Sequence, residues 1–235
     1  MENNPAHICF VVLNYRQPEL VIKNVENIQK IFPEAFFVIV DNDSQDGSVE
    51  KMQKSFKGMG NLRLFDTKEN GGYARGNNFG VKKAVECFNP EFIAIMNPDV
   101  ILPCRESITR LLEAFSKDPL LALCTGLMLD ENRRLVFSVV ASKVPDKLDD
   151  AVLNLPFLAS RLNPVRYHSF RVEENGLIYV EVVPGSFFLA RTSLFLQMGL
   201  FDESTFLFGE ERILGKKARE TGFRIALVPT VFFIH

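Results

Sequence analysis

The chain has 235 residues, of which 47% are hydrophobic, and its 27 basic residues nearly balance its 29 acidic residues. This length fits one α/β domain over residues 1–235 with room for an insertion, and the overall charge does not favour nucleic acid as a partner. No apolar run approaches the roughly 20 residues that span a bilayer, and residues 1–5 lack the pattern of a secretory signal. The composition therefore predicts a cytoplasmic protein.

The first hundred residues alternate between apolar bursts and amphipathic stretches. Strands are predicted over 8–13, 36–40, 62–65 and 92–96, and helices over 18–31, 48–56 and from about 77 to 87. A glycine-rich loop is expected over 70–76, before the third helix. This alternation predicts an α/β fold with a mostly parallel, Rossmann-like sheet flanked by helices, its first half lying over residues 6–100.

The second half, over 101–235, is less regular. Helices are predicted over 107–115, from 192 towards 199 and over 211–221, and strands over 121–128, 178–183 and 187–190. The segment 130–174 carries three prolines, and its basic residues outnumber its acids before the closing Glu173-Glu174, so we predict an insertion there over one face. The strand-like apolar run that ends at His235 predicts a chain trimmed at its C-terminus.

The motif Asn97-Pro98-Asp99 follows a strand without a polar face, and Pro98 ends that strand. Because α/β sheets bind ligands at the carboxyl ends of their strands, Asp99 would stand where a ligand is expected. A carboxylate there can bind a divalent cation and, through it, a diphosphate. The alternative is a plain turn that uses these residues for backbone geometry.

A second carboxylate, Asp41, comes just after the second predicted strand. It can accept a hydrogen bond from a nucleobase or a ribose hydroxyl, or it can cap the helix that follows. Tyr15 follows the neighbouring strand and would lie beside Asp41 in a parallel sheet. Its ring can stack on a base or pack in the interior.

The glycine-rich loop combines three glycines with the cation of Arg75 and the amides of Asn77 and Asn78. Glycines allow a backbone to approach a ligand closely, and the start of a helix favours an anion. The loop lacks both the Walker ending and the dinucleotide spacing of glycines. A turn without a ligand is the alternative.

Two adjacent acids, Glu210 and Glu211, follow the apolar residues 206–208. Apolar surroundings can raise the pKa of a carboxyl group towards the working range of a general base, whereas the simpler interpretation is a pair that complements a helix dipole. His235, after the last apolar run, is a candidate metal ligand or a core residue.

Together these segments resemble the inverting, family-two glycosyltransferases of the GT-A fold, and most of all the rhamnosyltransferase and bacterial surface-polysaccharide branch. The segments that carry the resemblance follow one another along nearly the whole chain: Leu13-Asn14-Tyr15, Pro18-Glu19-Leu20, Val40-Asp41-Asn42, Asp46-Gly47-Ser48, Asn70-Gly71-Gly72, Gly76-Asn77-Asn78, Asn97-Pro98-Asp99, Pro184-Gly185-Ser186-Phe187-Phe188, Phe201-Asp202-Glu203 and Gly209-Glu210-Glu211.

The resemblance implies transfer of a sugar from a nucleotide-diphosphate donor, a UDP- or dTDP-sugar, with Mg²⁺ or Mn²⁺ as cofactor. Its donor-binding residues would be Tyr15, Asp41, Arg75, Asn77, Asn78 and Asn97, its metal ligands Asp99 and His235, and its catalytic acids Glu211 as general base with Glu210 before it. Asn97 stands where the family often has an acid, and Ile213 and Lys217 replace residues that are frequent after the paired acids.

The implied acceptor is a glycan or a lipid-linked sugar in bacterial surface polysaccharide synthesis, bound by the second half of the chain. The basic segment 133–171, with Arg161, Arg166 and Arg171 among apolar residues, would make a peripheral contact with the inner face of the membrane or form a solvated surface. Two alternatives are a nucleotide-sugar-binding module without turnover and a nucleotidyltransferase. The latter would carry a basic glycine-rich loop where Asn14-Tyr15-Arg16-Gln17 stands.

Overall fold

The computed structural model describes residues 7–136, 140, 143 and 170–235. Its strands are β1 (Ile8–Asn14), β2 (Phe36–Asp41), β3 (Leu62–Asp66), β4 (Phe92–Met96), β5 (Leu121–Leu129), β6 (Ile178–Val180), β7 (Phe187–Arg191) and β8 (Arg224–Ile234). The helices in this part of the chain are α1 (Pro18–Ile31), α2 (Ser48–Ser55), α3 (Gly72–Phe88), α4 (Arg105–Lys117), α5 (Thr192–Gln197) and α6 (Glu210–Thr221).

The strands form one mixed sheet in the order β3-β2-β1-β4-β7-β5-β8-β6. Strands β1 to β4 pair in parallel, as do β5 and β8, whereas β7 is antiparallel to both its neighbours and β6 is antiparallel to β8. This confirms the predicted α/β class with a mostly parallel sheet. Because β7 runs against its neighbours, its amino end lies at the same edge as the carboxyl ends of β1, β2, β4, β5 and β8.

Both faces of the sheet are covered by apolar side chains. Consecutive residues of a central strand belong to opposite clusters, so that Phe10 lies in one and Val11 in the other. The same alternation separates Phe187 from Phe188 in β7, and all four side chains are fully buried. A sheet covered on both faces needs apolar residues at every position, which explains why these strands have no polar face.

Helix α3 begins at Gly72, five residues before the predicted start near 77, so the expected loop ends earlier. The Asn70 side chain accepts a hydrogen bond from the Gly72 N–H (3.1 Å), and the Phe206 carbonyl accepts one from the Tyr73 N–H (2.8 Å). The first N–H groups of a helix need partners from outside it. Here one partner comes from a distant segment, which the local sequence did not reveal.

Strand β8 begins at Arg224, seven residues before the strand-like run that the sequence indicated. Pro229 lies inside it and argues against a strand, because proline cannot donate to the ladder. The pairing with β5 shifts register between Thr125 and Leu127, beside Gly126, which accommodates the proline. A Cβ added to Gly126 would lie 2.7 Å from the carbonyl oxygen of Val231. The long strand carries His235 to the edge of the sheet where β1, β2 and β4 end.

The predicted insertion over 130–174 lies largely outside the described residues, and so do Arg161 and Arg166. Its described parts are residues 130–136, Val140, Lys143 and residues 170–174. Within the described ranges, the helices are all too short or too polar to cross a bilayer.

Candidate functional site

The site lies at the edge of the sheet where β1, β2, β4 and β8 end and β7 begins. The Asn97 N–H donates to the Ser186 carbonyl (2.8 Å), which joins the segment after β4 to the segment before β7. Ile101 and Ile234 exchange two backbone hydrogen bonds (2.9 and 3.1 Å), which bring the end of β8 alongside the segment that follows Asp99. Segments far apart in sequence therefore meet at one edge.

Asp99 and His235 face each other at this edge. The His235 Nε2 lies 3.4 Å from Asp99 Oδ1, and the Asn97 amide nitrogen lies 3.5 Å from the same imidazole nitrogen. The hydrogen bond from His235 lowers the pKa of Asp99 below its ordinary value, although partial burial acts in the opposite direction. The Asp99 side chain is 53% exposed and thus accessible to a ligand.

These side chains fit a divalent cation that a bound diphosphate helps to hold. Across the described residues, no three side chains of His, Cys, Asp or Glu converge as a complete ligand set. Asp99 and His235 nevertheless offer a carboxylate oxygen and an imidazole nitrogen close together. Mg²⁺ usually takes one or two protein carboxylates and fills its other positions with water and phosphate oxygens. Two protein ligands are consistent with that arrangement.

Of the two residues predicted to hold a nucleobase, Tyr15 is accessible and Asp41 is buried. Asp41 accepts hydrogen bonds from Asn14 Nδ2 (2.6 Å), the Ser44 N–H (2.9 Å) and the Ser44 hydroxyl (2.8 Å). The Tyr15 side chain is 45% exposed, and the Arg16 guanidinium lies 5.1 Å from the centre of its ring. Asp41 thus ties together the ends of β1 and β2 beside an open aromatic ring.

The amides of the glycine-rich segment are bonded within the chain. Asn77 donates to the carbonyl of Tyr73 (3.0 Å), one turn earlier in α3. Asn78 donates to the Phe201 carbonyl (3.1 Å) and to Glu203 (2.9 Å), and it accepts the Phe201 N–H (3.1 Å). Both asparagines are buried. They hold neighbouring segments in place and do not point to an open surface.

Unlike the two buried asparagines, Arg75 lies on the surface of α3. Its guanidinium pairs with Glu69 (3.0 Å), and its side chain is 54% exposed. An exposed ion pair of this kind contributes little to stability, so Arg75 can exchange Glu69 for a ligand at low cost.

Glu210 and Glu211 are the first two residues of α6, and their surroundings differ. Glu210 is 2% exposed, and its Oε1 has no hydrogen-bond partner within the part of the chain that the structure describes. Burial raises the pKa of Glu210, and the neighbouring charge of Glu211 adds to the effect. Glu211 is half-buried, with its carboxylate against Gly185, where an added Cβ would collide with Oε1.

The predicted apolar approach to the acids is a solvent-exposed loop. Phe206 is 61% exposed, Leu207 54% and Phe208 81%. The loop is held by its backbone, because the Phe206 carbonyl accepts the Tyr73 N–H and a Cβ on Gly72 would collide with that carbonyl oxygen. Because these three side chains are exposed, other parts of the protein must contribute to the burial that raises the pKa of Glu210.

Two members of the site were not among the predicted residues, although their motifs were noted. The turn Pro184-Gly185-Ser186, named here the 184–186 turn, contacts Glu211 through Gly185 and Asn97 through Ser186. Tyr73 donates its hydroxyl to the Gly185 carbonyl (2.6 Å). The turn thus lies between the paired acids and the Asp99–His235 pair. The sequence feature that could have indicated this turn is a Pro-Gly-Ser motif immediately before an apolar strand.

Comparison with known proteins gives a family match: the model of "Glycosyl transferase family 2" matches residues 9–154, more than half of the chain. The matched range contains β2 to β5, all of β1 except Ile8, and the residues Tyr15, Asp41 and Asp99.

Two curated relatives are similar over most of the chain. The low-salt glycan biosynthesis hexosyltransferase Agl10 of Haloferax volcanii is 27% identical over 229 residues, which cover 97% of this chain and 66% of that protein. An N-acetylglucosaminyl-diphospho-decaprenol L-rhamnosyltransferase of Mycobacterium tuberculosis is 28% identical over 208 residues, which cover 84% of this chain and 65% of the relative. The chain thus spans just under two thirds of the length of each.

A solved structure with a similar fold is the mannosyltransferase PcManGT from Pyrobaculum calidifontis, in complex with GDP-Man and Mn²⁺. It has a TM-score of 0.67 at 16% identity, with 97% of this chain and 56% of that chain covered. At this identity the likeness concerns the fold, which is that of the GT-A glycosyltransferases.

Proposed function

Because the chain belongs to glycosyl transferase family 2 and is a glycosyltransferase with the GT-A fold, we propose that it transfers a sugar from a UDP- or dTDP-sugar with inversion. The observation that carries the proposal is the 184–186 turn, which contacts Glu211 on one side and the segment of Asp99 on the other. This transfer needs a proton acceptor and a group that holds the diphosphate, and the position of the turn supports giving these roles to Glu211 and Asp99.

The donor would bind along the carboxyl ends of β1, β2 and β4. Tyr15 offers an exposed ring on which a base can stack, and Asp41 fixes the two strand ends beside it. Arg75 and Asn97 supply polar groups nearer the diphosphate, while Asn77 and Asn78 act by holding the segments that border it. Support for a nucleotide-sugar donor comes from the GDP-Man found in the structure of similar fold.

Asp99 and His235 would hold Mg²⁺ or Mn²⁺ together with the diphosphate oxygens. When bound, such an ion neutralises the charge that develops on the departing diphosphate. Asp99 supplies a carboxylate whose pKa the hydrogen bond from His235 lowers, and His235 supplies an imidazole nitrogen. The donor set supports this assignment, as does the Mn²⁺ in the structure of similar fold.

The chemical step is a single displacement at the anomeric carbon. Glu211 takes the proton of the acceptor hydroxyl as its oxygen forms a bond to that carbon. The bond between the carbon and the diphosphate oxygen breaks, and its electron pair stays on that oxygen. A nucleoside diphosphate therefore leaves, and the configuration at the carbon inverts. A positioned general base contributes about 10²–10⁴-fold to such a rate.

The acceptor we propose is a glycan or a lipid-linked sugar, and the process is surface polysaccharide synthesis at the cytoplasmic side of a membrane. The names of both curated relatives support this, since one acts in glycan biosynthesis and the other carries a diphospho-decaprenol acceptor in its name. Residues that would meet the membrane in the 133–171 segment belong mostly to the part that the structure does not describe.

A calorimetric panel tests the donor and the metal together. UDP-, dTDP- and GDP-sugars are titrated into the protein with and without Mn²⁺, and one donor class is expected to bind much more tightly with the ion. The variant Asp99→Ala should lose that metal-dependent gain, because it removes the carboxylate that faces His235. Glu86→Ala, an exposed acid on α3 paired with Lys83, is the matched control and should bind as the wild type does.

Equal binding with and without Mn²⁺ would contradict the metal assignment. Unchanged metal-dependent binding by Asp99→Ala would contradict the role given to Asp99.

A further inference from the structure

We propose that Tyr73 is a positioning residue for the general base: its hydroxyl fixes the 184–186 turn, and Gly185 in that turn sets where the Glu211 carboxylate lies. This inference rests on the proposed function, in which Glu211 accepts the proton of the acceptor hydroxyl.

The first step is the hydrogen bond from the Tyr73 hydroxyl to the Gly185 carbonyl, at 2.6 Å. It joins the first turn of α3 to the turn before β7, which lies 112 residues later in the chain. The hydroxyl remains a donor at neutral pH, because burial raises the pKa of Tyr73 and the charges of Glu211 and Glu210 raise it further. The link therefore persists over the whole range in which a carboxylate base is active.

The second step is the contact between Gly185 and Glu211. A Cβ built on Gly185 would collide with Oε1 of Glu211 and would lie 3.0 Å from its Cδ and 3.2 Å from its Cγ. The carboxylate therefore packs directly against the turn, so a shift of the turn changes the position of the acid. Misplacement of a reacting group by about 1 Å can cost on the order of 10²-fold in rate.

The third step is that Tyr73 is itself held on several sides. Its ring meets Phe201 edge to face, with centroids 5.8 Å apart, and its carbonyl accepts the Asn77 amide (3.0 Å). Its N–H holds the Phe206 carbonyl (2.8 Å), in the loop that leads into Glu210 and Glu211. One residue of α3 thus fixes both the chain that precedes the acids and the turn beside them.

A purely structural role would predict something else. The Tyr73 hydroxyl would then only satisfy a backbone carbonyl, and its removal would lower stability without a specific effect on turnover. A positioning role predicts a loss in kcat with an unchanged KM for the donor, because the Tyr73 hydroxyl bonds the Gly185 carbonyl and the donor would bind to side chains that this hydroxyl does not contact.

Tyr73→Phe separates these roles, since it keeps the ring and removes only the hydroxyl. The measurement is release of nucleoside diphosphate, with Mn²⁺, from the donor that binds most tightly in the calorimetric panel. We expect kcat to fall about 10–100-fold with the donor KM unchanged. Tyr179→Phe is the matched control, because that hydroxyl also makes a partly buried hydrogen bond, to Asp118 (2.8 Å), but at the opposite edge of the sheet. It should lower the melting temperature and leave kcat unchanged.

Gly185→Ala provides a second variant that acts on the same contact from the other side. Gly185 does not need the left-handed conformation reserved for glycine, so alanine fits the backbone, but its methyl group displaces the Glu211 carboxylate. It should reproduce the loss in kcat. A Tyr73→Phe enzyme with kcat within twofold of the wild type, while Glu211→Gln is inactive, overturns this inference alone. Full nucleotide release by Glu211→Gln overturns the proposed function and the inference with it.

Discussion

At the scale of single residues, Glu210 and Glu211 are neighbours in sequence with different chemistry. Glu210 is buried with one carboxylate oxygen unpartnered, whereas Glu211 is half-buried beside Gly185. Only an accessible acid can meet an acceptor hydroxyl, which favours Glu211 as the base. Glu210 then shapes the surroundings of the base from the interior.

We expect Glu210→Gln to be more stable than the wild type at pH 7, by about 1 kcal/mol, because burial disfavours the ionised carboxylate and its Oε1 has no hydrogen-bond partner among the described residues. The folded-state pKa of Glu210 lies above its ordinary value of 4.5. The wild type therefore loses stability relative to the variant as the pH rises through that folded pKa, and the two converge below pH 4.5, where both side chains are neutral. Urea unfolding at pH 4 and pH 7 measures the difference.

Glu220→Gln serves as the control, since Glu220 lies exposed in the last turn of α6 beside Lys216. It should change stability little at either pH. A wild type that is more stable than Glu210→Gln at pH 7 would contradict the burial argument.

Among the helices and strands, the local sequence pattern predicted those bounds that depend only on neighbouring residues. The bounds of β4 agree with the prediction, because a wholly apolar pentapeptide ended by Asn97-Pro98 has few other interpretations. The start of α3 and the first half of β8 were missed. The start of α3 depends on the Phe206 carbonyl, which accepts a hydrogen bond from the Tyr73 N–H. The first half of β8 depends on a register shift in β5 that accommodates Pro229. Both causes are contacts between distant segments.

The hydrogen bonds of Asn78 join α3 to the 201–203 segment, and their contribution to stability can be measured. Asn78→Ala removes two hydrogen bonds to the Phe201 backbone and one to Glu203, and it leaves buried backbone groups unpaired. We expect the free energy of unfolding to fall by about 2–3 kcal/mol. Donor affinity, measured by the same calorimetric titration, should change less than twofold, because the amide points to the 201–203 segment.

Glu86→Ala on the same helix is the comparison, since Glu86 is an exposed acid that pairs with Lys83 at the surface. Unchanged stability of Asn78→Ala together with a large loss of donor affinity would instead show that Asn78 contacts the donor directly.

At the scale of the whole molecule, the sheet gathers groups from distant parts of the chain at one edge. The roles that family resemblance implies for Asp99, Glu211 and His235 stay predictions, whereas strand order predicted that Asp99 would stand at that edge. Neither could predict that Asp41 is buried or that Tyr73 reaches Gly185, because side-chain partners depend on how distant segments pack. The chain spans just under two thirds of its curated relatives, so the account concerns this domain.

We propose that the residues at this edge of the sheet transfer a sugar with Glu211 as the base. The most direct test compares nucleotide release and nucleotide binding by the wild type and Glu211→Gln, with the tightest-binding donor and Mn²⁺. We expect release to fall by at least 10²-fold while calorimetric affinity for the nucleotide stays within twofold of the wild type. Release at the wild-type rate by Glu211→Gln would contradict the account.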